Sequence, residues 1–217
     1  QKYFSVNVRG PSTGAYALKN PSFGVSAAIA ARGPAGAGEA GGAIETKARA
    51  EVKLLADLAL ASRLLRFGGP FANHGPVPPK VGEETLYTVV WSLTNAFNEL
   101  ANARVSATLP SYVRFVGSVS PVSERVSYDA VSGALVWEVG EIKAGVGIGG
   151  APREVAFQIA FVPADNQAGT VPMLVGESVA EGDDRFVSRS VTSATRPALT
   201  TQFSDASFTA SHGVVSR

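Results

Sequence analysis

Glu181, Asp183 and Asp184, in the stretch AEGDDRF, form the most concentrated set of reactive side chains in the sequence. Placed at a turn between two strands, three carboxylates would offer oxygen ligands to Ca²⁺, a hard cation that takes about six to eight of them. Asp165 and Asn166, in a second turn, would add to them if both loops met at one end of the fold. The spacing lacks the D-x-D-x-D-G regularity of a calcium loop, and an ordinary acidic hairpin accounts for it more simply. A second candidate is Phe71, Asn73 and His74. They lie in FGGPFANHGPVPPK, which holds three Gly and four Pro in fourteen residues. That density breaks helices and central strands, so the segment reads as a surface loop presenting an aromatic ring, an amide and an imidazole to a ligand.

Other chemistry is argued against. Gly145, Gly147 and Gly150 satisfy G-x-G-x-x-G, but a dinucleotide site needs a helix after the glycines to hold the pyrophosphate. Here Pro152 and a strand pattern follow. His74 and His212, the only histidines, lie in a loop and near the C-terminus with no nucleophile, base and orienting group assembled around either. No G-x-S-x-G elbow activates a serine. Cysteine is absent, which removes disulfides, zinc thiolates and Cys nucleophiles. Lys53 and Lys80 lie near apolar strands, yet no final-strand motif accompanies them to suggest a self-formed isopeptide bond. A glycan-cleaving sandwich would need paired carboxylates across an aromatic-lined cleft. The five Tyr and two Trp read mostly as core.

The 217 residues are 45% hydrophobic and 17% charged, with 19 basic and 18 acidic side chains and a net charge of +1. A disordered tail is excluded, and nucleic acid is a poor partner without a basic surplus. Residues 1–80 carry ten basic and four acidic groups, and residues 81–217 carry nine and fourteen. The split is consistent with two units of different surface. No apolar run reaches the roughly 20 residues of a membrane helix. No signal peptide is visible.

The elements that must position these groups are strands. From Leu86 to Leu93, Tyr87, Val89, Trp91 and Leu93 point one way and Leu86, Thr88, Val90 and Ser92 the other, a period-2 pattern rich in β-branched and aromatic types. A polar bend over residues 95–102 leads to a second strand stopped by Pro110. Earlier strands are expected at residues 2–9, with Phe4, Val6 and Val8 on one face, and from Phe23 to Ala31. A Gly/Ala-rich loop at 33–43 separates these from residues 46–67. There Leu54, Leu55, Leu58 and Leu65 fit a helix, but the alternation of Ala48, Ala50, Val52 and Leu54 favours two strands bent near Ala56-Asp57. Later strands are expected at 112–116, in a hairpin of 126–128 with 134–139, and at 153–162, 171–180, 186–192 and 199–203. A polar turn is expected at 118–123. Trp91 and Trp137 read as core residues on facing layers. The last dozen residues read as a loosely held tail.

Several segments carry a resemblance. ADLALASRLLRF, PFANHGPVPPKVGEETLYTVVWSLTN, ARVSATLPSYVRFVG, SYDAVSGALVWEVGEIKAG, EVAFQIAF, AGTVPMLVGE and RPALTT succeed one another over residues 57–204. Together they resemble the Ig-like conserved repeat of prokaryotic surface proteins. In that repeat an entry strand precedes a Val-Gly-Glu turn, a Tyr-Thr-Val strand and a Thr-Asn bend, followed by a Leu-Pro stop and a Trp-x-Val-Gly strand. The sequence also looks like the C-terminal domain of membrane-anchored bacterial surface proteins built from strings of Ig-like domains. These motifs specify fold, not activity.

The expectation is an all-β chain of two consecutive Ig-like β-sandwich units, the first incomplete. Residues 1–56 would be a partial unit with its Gly/Ala loop, residues 57–205 a full sandwich, and residues 206–217 a tail. The resemblance implies a non-enzymatic extracellular module of a cell surface, acting as stalk or tip. Its partners would be other surface proteins, glycans or neighbouring cells, its membrane link an anchor outside this chain, and its cofactors none apart from Ca²⁺ at the acidic turn. The alternative is a self-assembling subunit of a surface layer or filament.

Overall fold

A computed structural model describes residues 19–32 and 43–217. The strand expected at residues 2–9 and most of the Gly/Ala loop lie outside the described residues. Strands β1 (Ser22–Arg32) and β2 (Ala43–Lys53) pair antiparallel over eleven residues and form a two-stranded sheet of their own. The chain then turns at residues 54–57, where the period-2 pattern is interrupted by Leu54-Leu55, and nine strands build a sandwich. These are β3 (Leu58–Leu65), β4 (Thr85–Asn95), β5 (Leu100–Thr108), β6 (Val113–Ser120), β7 (Arg125–Tyr128), β8 (Ala134–Ile142), β9 (Arg153–Phe161), β11 (Val179–Asp184) and β12 (Arg189–Thr192). Between β9 and the end, β10 (Met173–Val175) pairs with β13 (Leu199–Thr200).

One sheet runs β3-β4-β9-β6 and the other β12-β11-β5-β8-β7, with every pairing antiparallel. This is an Ig-like sandwich whose second sheet is widened by the β7–β8 hairpin. Side chains facing inward from the two sheets meet in the core. Trp91 on β4 and Trp137 on β8 are both fully buried, and the Trp91 and Phe157 rings meet edge to face at 4.9 Å. Burying side chains of this size stabilises by roughly 1.5–3 kcal/mol each, so the core, more than any surface ion pair, holds the sheets together.

β4 is buried on both faces. Its outer face is covered by the loop following β3. There the Asn73 amide nitrogen donates to Thr88 Oγ1 at 3.0 Å and to the Arg66 carbonyl at 3.1 Å, while Gln158 Nε2 donates to Asn73 Oδ1 at 2.9 Å. A polar Thr and Gln on the outer face of a central pair of strands are therefore satisfied by the loop rather than by solvent.

Four expectations are corrected. The acidic residues lie within β11, not at the turn, which is Arg185–Ser188; Asp183 and Asp184 pair in register with Ser190 and Arg189 of β12. The stretch 171–180 is not one strand. It breaks between β10 and β11 at Gly176, where a Cβ would come within 2.6 Å of Thr108 Oγ1. The polar turn expected from Ser118 begins later, because β6 pairs with β9 through Ser120. The last residues are docked, not loose. Val215 is buried, Val81 N–H donates to the Ser216 carbonyl at 3.0 Å, and Ser216 N–H donates to the Pro79 carbonyl at 2.8 Å. Phe208 also packs edge to face on Phe203 at 4.9 Å. A few apolar residues in a polar stretch suffice for this because the loops at Pro79–Val81 and Gly169–Thr170 offer their backbone groups to Val215 and Ser216.

Candidate functional site

Strand alternation decides what the acidic residues can do. In β11, Glu181 and Asp183 face outward while Asp184, on the opposite side, is buried. The three carboxylates are therefore not brought together as one ligand set, and no group of three or more metal-ligating side chains occurs among the described residues. Asp165 belongs to a 3₁₀ turn, Asp165–Gln167, after β9.

Asp184 serves another purpose. Its Oδ2 accepts the Ala56 N–H at 2.8 Å and the Asn98 side-chain amide at 2.7 Å, and its Oδ1 accepts the N–H groups of Phe186 at 2.8 Å and Val187 at 3.0 Å. Burial pushes this carboxyl up. The hydrogen bonds from Asn98, Val187, Ala56 and Phe186 outweigh that and hold it below its usual range. Asn98 also donates to the Leu54 carbonyl at 2.7 Å, and the neighbouring Asn95 amide donates to the Asn98 carbonyl at 2.7 Å. One end of the sandwich is thus knotted to the segment that leads out of the β1–β2 ribbon. Lys53 adds to the junction, its ammonium 4.5 Å from the centre of the Phe186 ring.

The Pro/Gly loop is equally built in. Arg66 donates from Nη1 to the Asn73 carbonyl at 2.9 Å and from Nη2 to the Gly75 carbonyl at 2.6 Å. Gly75 has φ +108°, and a Cβ there would lie 2.3 Å from the Glu84 carbonyl oxygen, so only glycine fits. Asn73 is committed to Thr88, Arg66 and Gln158. Phe71 is half-buried, and His74 is exposed while its carbonyl accepts the Leu86 N–H at 2.8 Å. Of the three predicted residues, Phe71 and His74 have side chains left for a ligand. His212 stacks on Phe203.

The remaining glycine and lysine motifs are structural too. The Gly145–Gly150 loop packs on the end of β4, where Gly145 N–H donates to the Asn95 carbonyl at 2.8 Å and a Cβ on Gly147 would clash with Thr94. Lys80 pairs with Glu83 at 2.7 Å.

Sequence reasoning missed the outer face of the five-stranded sheet. The register places Glu181, Arg104, Glu138 and Arg125 in one row across β11, β5, β8 and β7, with Arg104 to Glu181 at 2.5 Å. Along the row lies an open cleft of about 390 Å³ whose lining includes Gly140, Glu124 and Arg153. Glu124 is buried, with Oε2 accepting Trp137 Nε1–H at 2.8 Å and Oε1 paired to Arg153 at 2.7 Å. Both oxygens are occupied, so this carboxylate anchors the sheet rather than standing ready as an acid or base. Alternating guanidinium, carboxylate and amide groups can hold a polar ligand by hydrogen bonds. No aromatic face lines the cleft for a sugar ring to stack on. Only the β7–β8 hairpin of this face is local in the sequence; β11, β5 and β8 meet only in the fold.

No protein-family model matches the chain, and no curated relative is found. Among solved structures, BcpA, the major pilin subunit of Bacillus cereus, aligns with TM-score 0.39 and 8% identity over 75% of this chain and 58% of that one. A variant of the same pilin gives 0.40 and 10% over 66% and 40%. The C-terminal domain of the Streptococcus agalactiae AgI/II polypeptide BspA gives 0.35 and 11% over 70% and 53%. The chain thus spans about half the length of the structures it matches.

Proposed function

We propose that the chain is a non-enzymatic structural and adhesion module of a bacterial cell surface, acting as stalk or tip. The observation that carries this reading is the junction at Asp184. It ties one β unit, the β1–β2 ribbon, to the end of the next, the sandwich, through a linker of only four residues, 54–57. Serial β units joined by short, hydrogen-bonded linkers give a module whose use is reach and orientation. On this reading residues 1–56 belong to a preceding unit. The polar cleft beside Arg104, the half-buried Phe71 ring and the exposed His74 side chain are the places where such a module would touch a partner.

The test is to apply the purified, labelled chain to intact cells and to a glycan panel, with calcium and with chelator, and to analyse the glycans afterwards. Saturable binding lost on Arg104→Ala or Phe71→Ala makes the module a tip. A folded chain that binds nothing makes it a spacer. Cleavage of any glycan overturns the non-enzymatic reading.

A further inference from the structure

The β1–β2 ribbon has more surface than two strands can stabilise. Pairing puts Phe23 opposite Val52, Val25 opposite Ala50, Ala27 opposite Ala48 and Ile29 opposite Thr46, all on one face. Val25 is 48% exposed, Ile29 65% and Val52 39%. A lone hairpin is marginal in water, and three or more strands sharing an apolar face are needed for independent stability. Among the described residues, both outer edges of the ribbon lack a neighbour.

The opposite face shows which neighbour the β2 edge accepts. Glu45, Lys47, Arg49, Glu51 and Lys53 form an unbroken row, and across β1 they meet only Ala30, Ala28, Ser26, Gly24 and Ser22. No charge in the row is matched across the hairpin; its one ion pair, Lys47 with Glu45 at 3.1 Å, runs along the strand, and Lys53 reaches back to the Phe186 ring and carbonyl of the sandwich. Elsewhere in the molecule such rows are matched across strands, as in Glu181–Arg104–Glu138–Arg125.

We propose that the β2 edge pairs antiparallel with β2 of a second copy of this chain, centred on Arg49, to make a four-stranded sheet. In that register Glu45 faces Lys53 and Lys47 faces Glu51, each twice by symmetry, and Arg49 faces Arg49 as the one like-charge contact. Shifting the centre by one residue sets Glu45 against Glu51 and Lys47 against Arg49. Shifting it the other way sets Lys47 against Lys53 and Arg49 against Glu51, so that two like-charge contacts offset two opposite ones, against four opposite and one like in the register centred on Arg49. Cross-strand opposite charges stabilise and like charges oppose pairing, so the row selects both the partner and the register. On the apolar face Thr46 meets Val52 and Ala48 meets Ala50, small and β-branched side chains that pack in a sheet. The interface is isologous and closes at two copies. It rests on the ribbon alone and not on the cell-surface reading.

Sedimentation equilibrium of the full chain tests it, together with three single variants. The native chain should show a concentration-dependent dimer that weakens with added salt. Glu51→Lys alone and Lys47→Glu alone each place like charges in two pairs and should weaken the dimer by about tenfold. Mixed, the two variants restore opposite charges in both pairs and should recover native affinity as a heterodimer, a result that a folding defect could not produce. Arg49→Thr removes the like-charge contact and should strengthen the dimer. A chain that stays monomeric, including one whose β2 edge is covered by its own N-terminal residues, overturns the proposal. So does a dimer indifferent to these charges.

Discussion

The carboxylate of Asp184 accepts the backbone N–H of Ala56 at 2.8 Å, across 128 residues of sequence. Ala56 sits in the short segment between the ribbon and the sandwich, and Asp184 ends the strand β11. Three further donors, from Asn98, Phe186 and Val187, complete the carboxylate's shell. One buried charge therefore fixes the linker, the β4–β5 turn and the β11–β12 turn at once.

Replacing that charge should be costly. Asp184→Ala leaves four donors without an acceptor, and a loss of about 2–4 kcal/mol in urea unfolding is expected. Asp183→Ala, whose exposed side chain bonds Asn102 and Ser190, should cost under about 1 kcal/mol. Equal losses from the two would contradict the assignment.

Acid should undo the same knot. The folded Asp184 carboxyl titrates below its unfolded value of about 3.9. Its contribution is fully present above that value and is lost as pH falls through the folded pKa. Unfolding free energy measured from pH 6 to pH 2 should therefore drop more steeply below about pH 4 in the native chain than in Asp184→Asn. Parallel curves would place the titration elsewhere.

Glu124 offers an optical test. Glu124→Ala strips the buried Trp137 indole and Arg153 of their shared acceptor, with an expected loss of about 2–3 kcal/mol and altered Trp emission. Glu124→Gln keeps one acceptor oxygen and should recover part of both. An unchanged spectrum in Glu124→Ala would show that the indole N–H has another partner.

Two glycines separate backbone strain from steric conflict. Gly75→Ala must place a methyl group against the Glu84 carbonyl at positive φ, whereas Gly82, at φ +76°, has nothing within 4 Å of a Cβ. Gly82→Ala should cost about 1 kcal/mol and Gly75→Ala about 3 kcal/mol or more, read as thermal midpoints of unfolding.

What the sequence disclosed follows from the range of each signal. β4 was legible because Tyr87, Val89, Trp91 and Leu93 alternate with Leu86, Thr88, Val90 and Ser92, and that pattern is local. The bend at Ala56-Asp57 was legible for the same reason. Asp184 was visible as an acidic residue but not as a buried one, since its Ala56 partner lies in a distant segment. The Asp-x-x pattern through which it accepts the N–H groups two and three residues on is a turn signal that could have hinted at its role. Asn73 read as a ligand contact because a loop asparagine beside aromatic and imidazole groups looks free. Its actual partners include Thr88 and Gln158, which the fold brings beneath the loop. The charge row over four strands and the docking of Val215 depend on tertiary register, which no single window of sequence contains.

The central proposal is that this chain stands outside the cell as part of a surface protein. It is tested most directly by labelling intact cells of the source organism with antibody raised to the purified chain. Labelling without permeabilisation, abolished by brief external protease, is the predicted result. Labelling that appears only after the cells are opened would contradict the account.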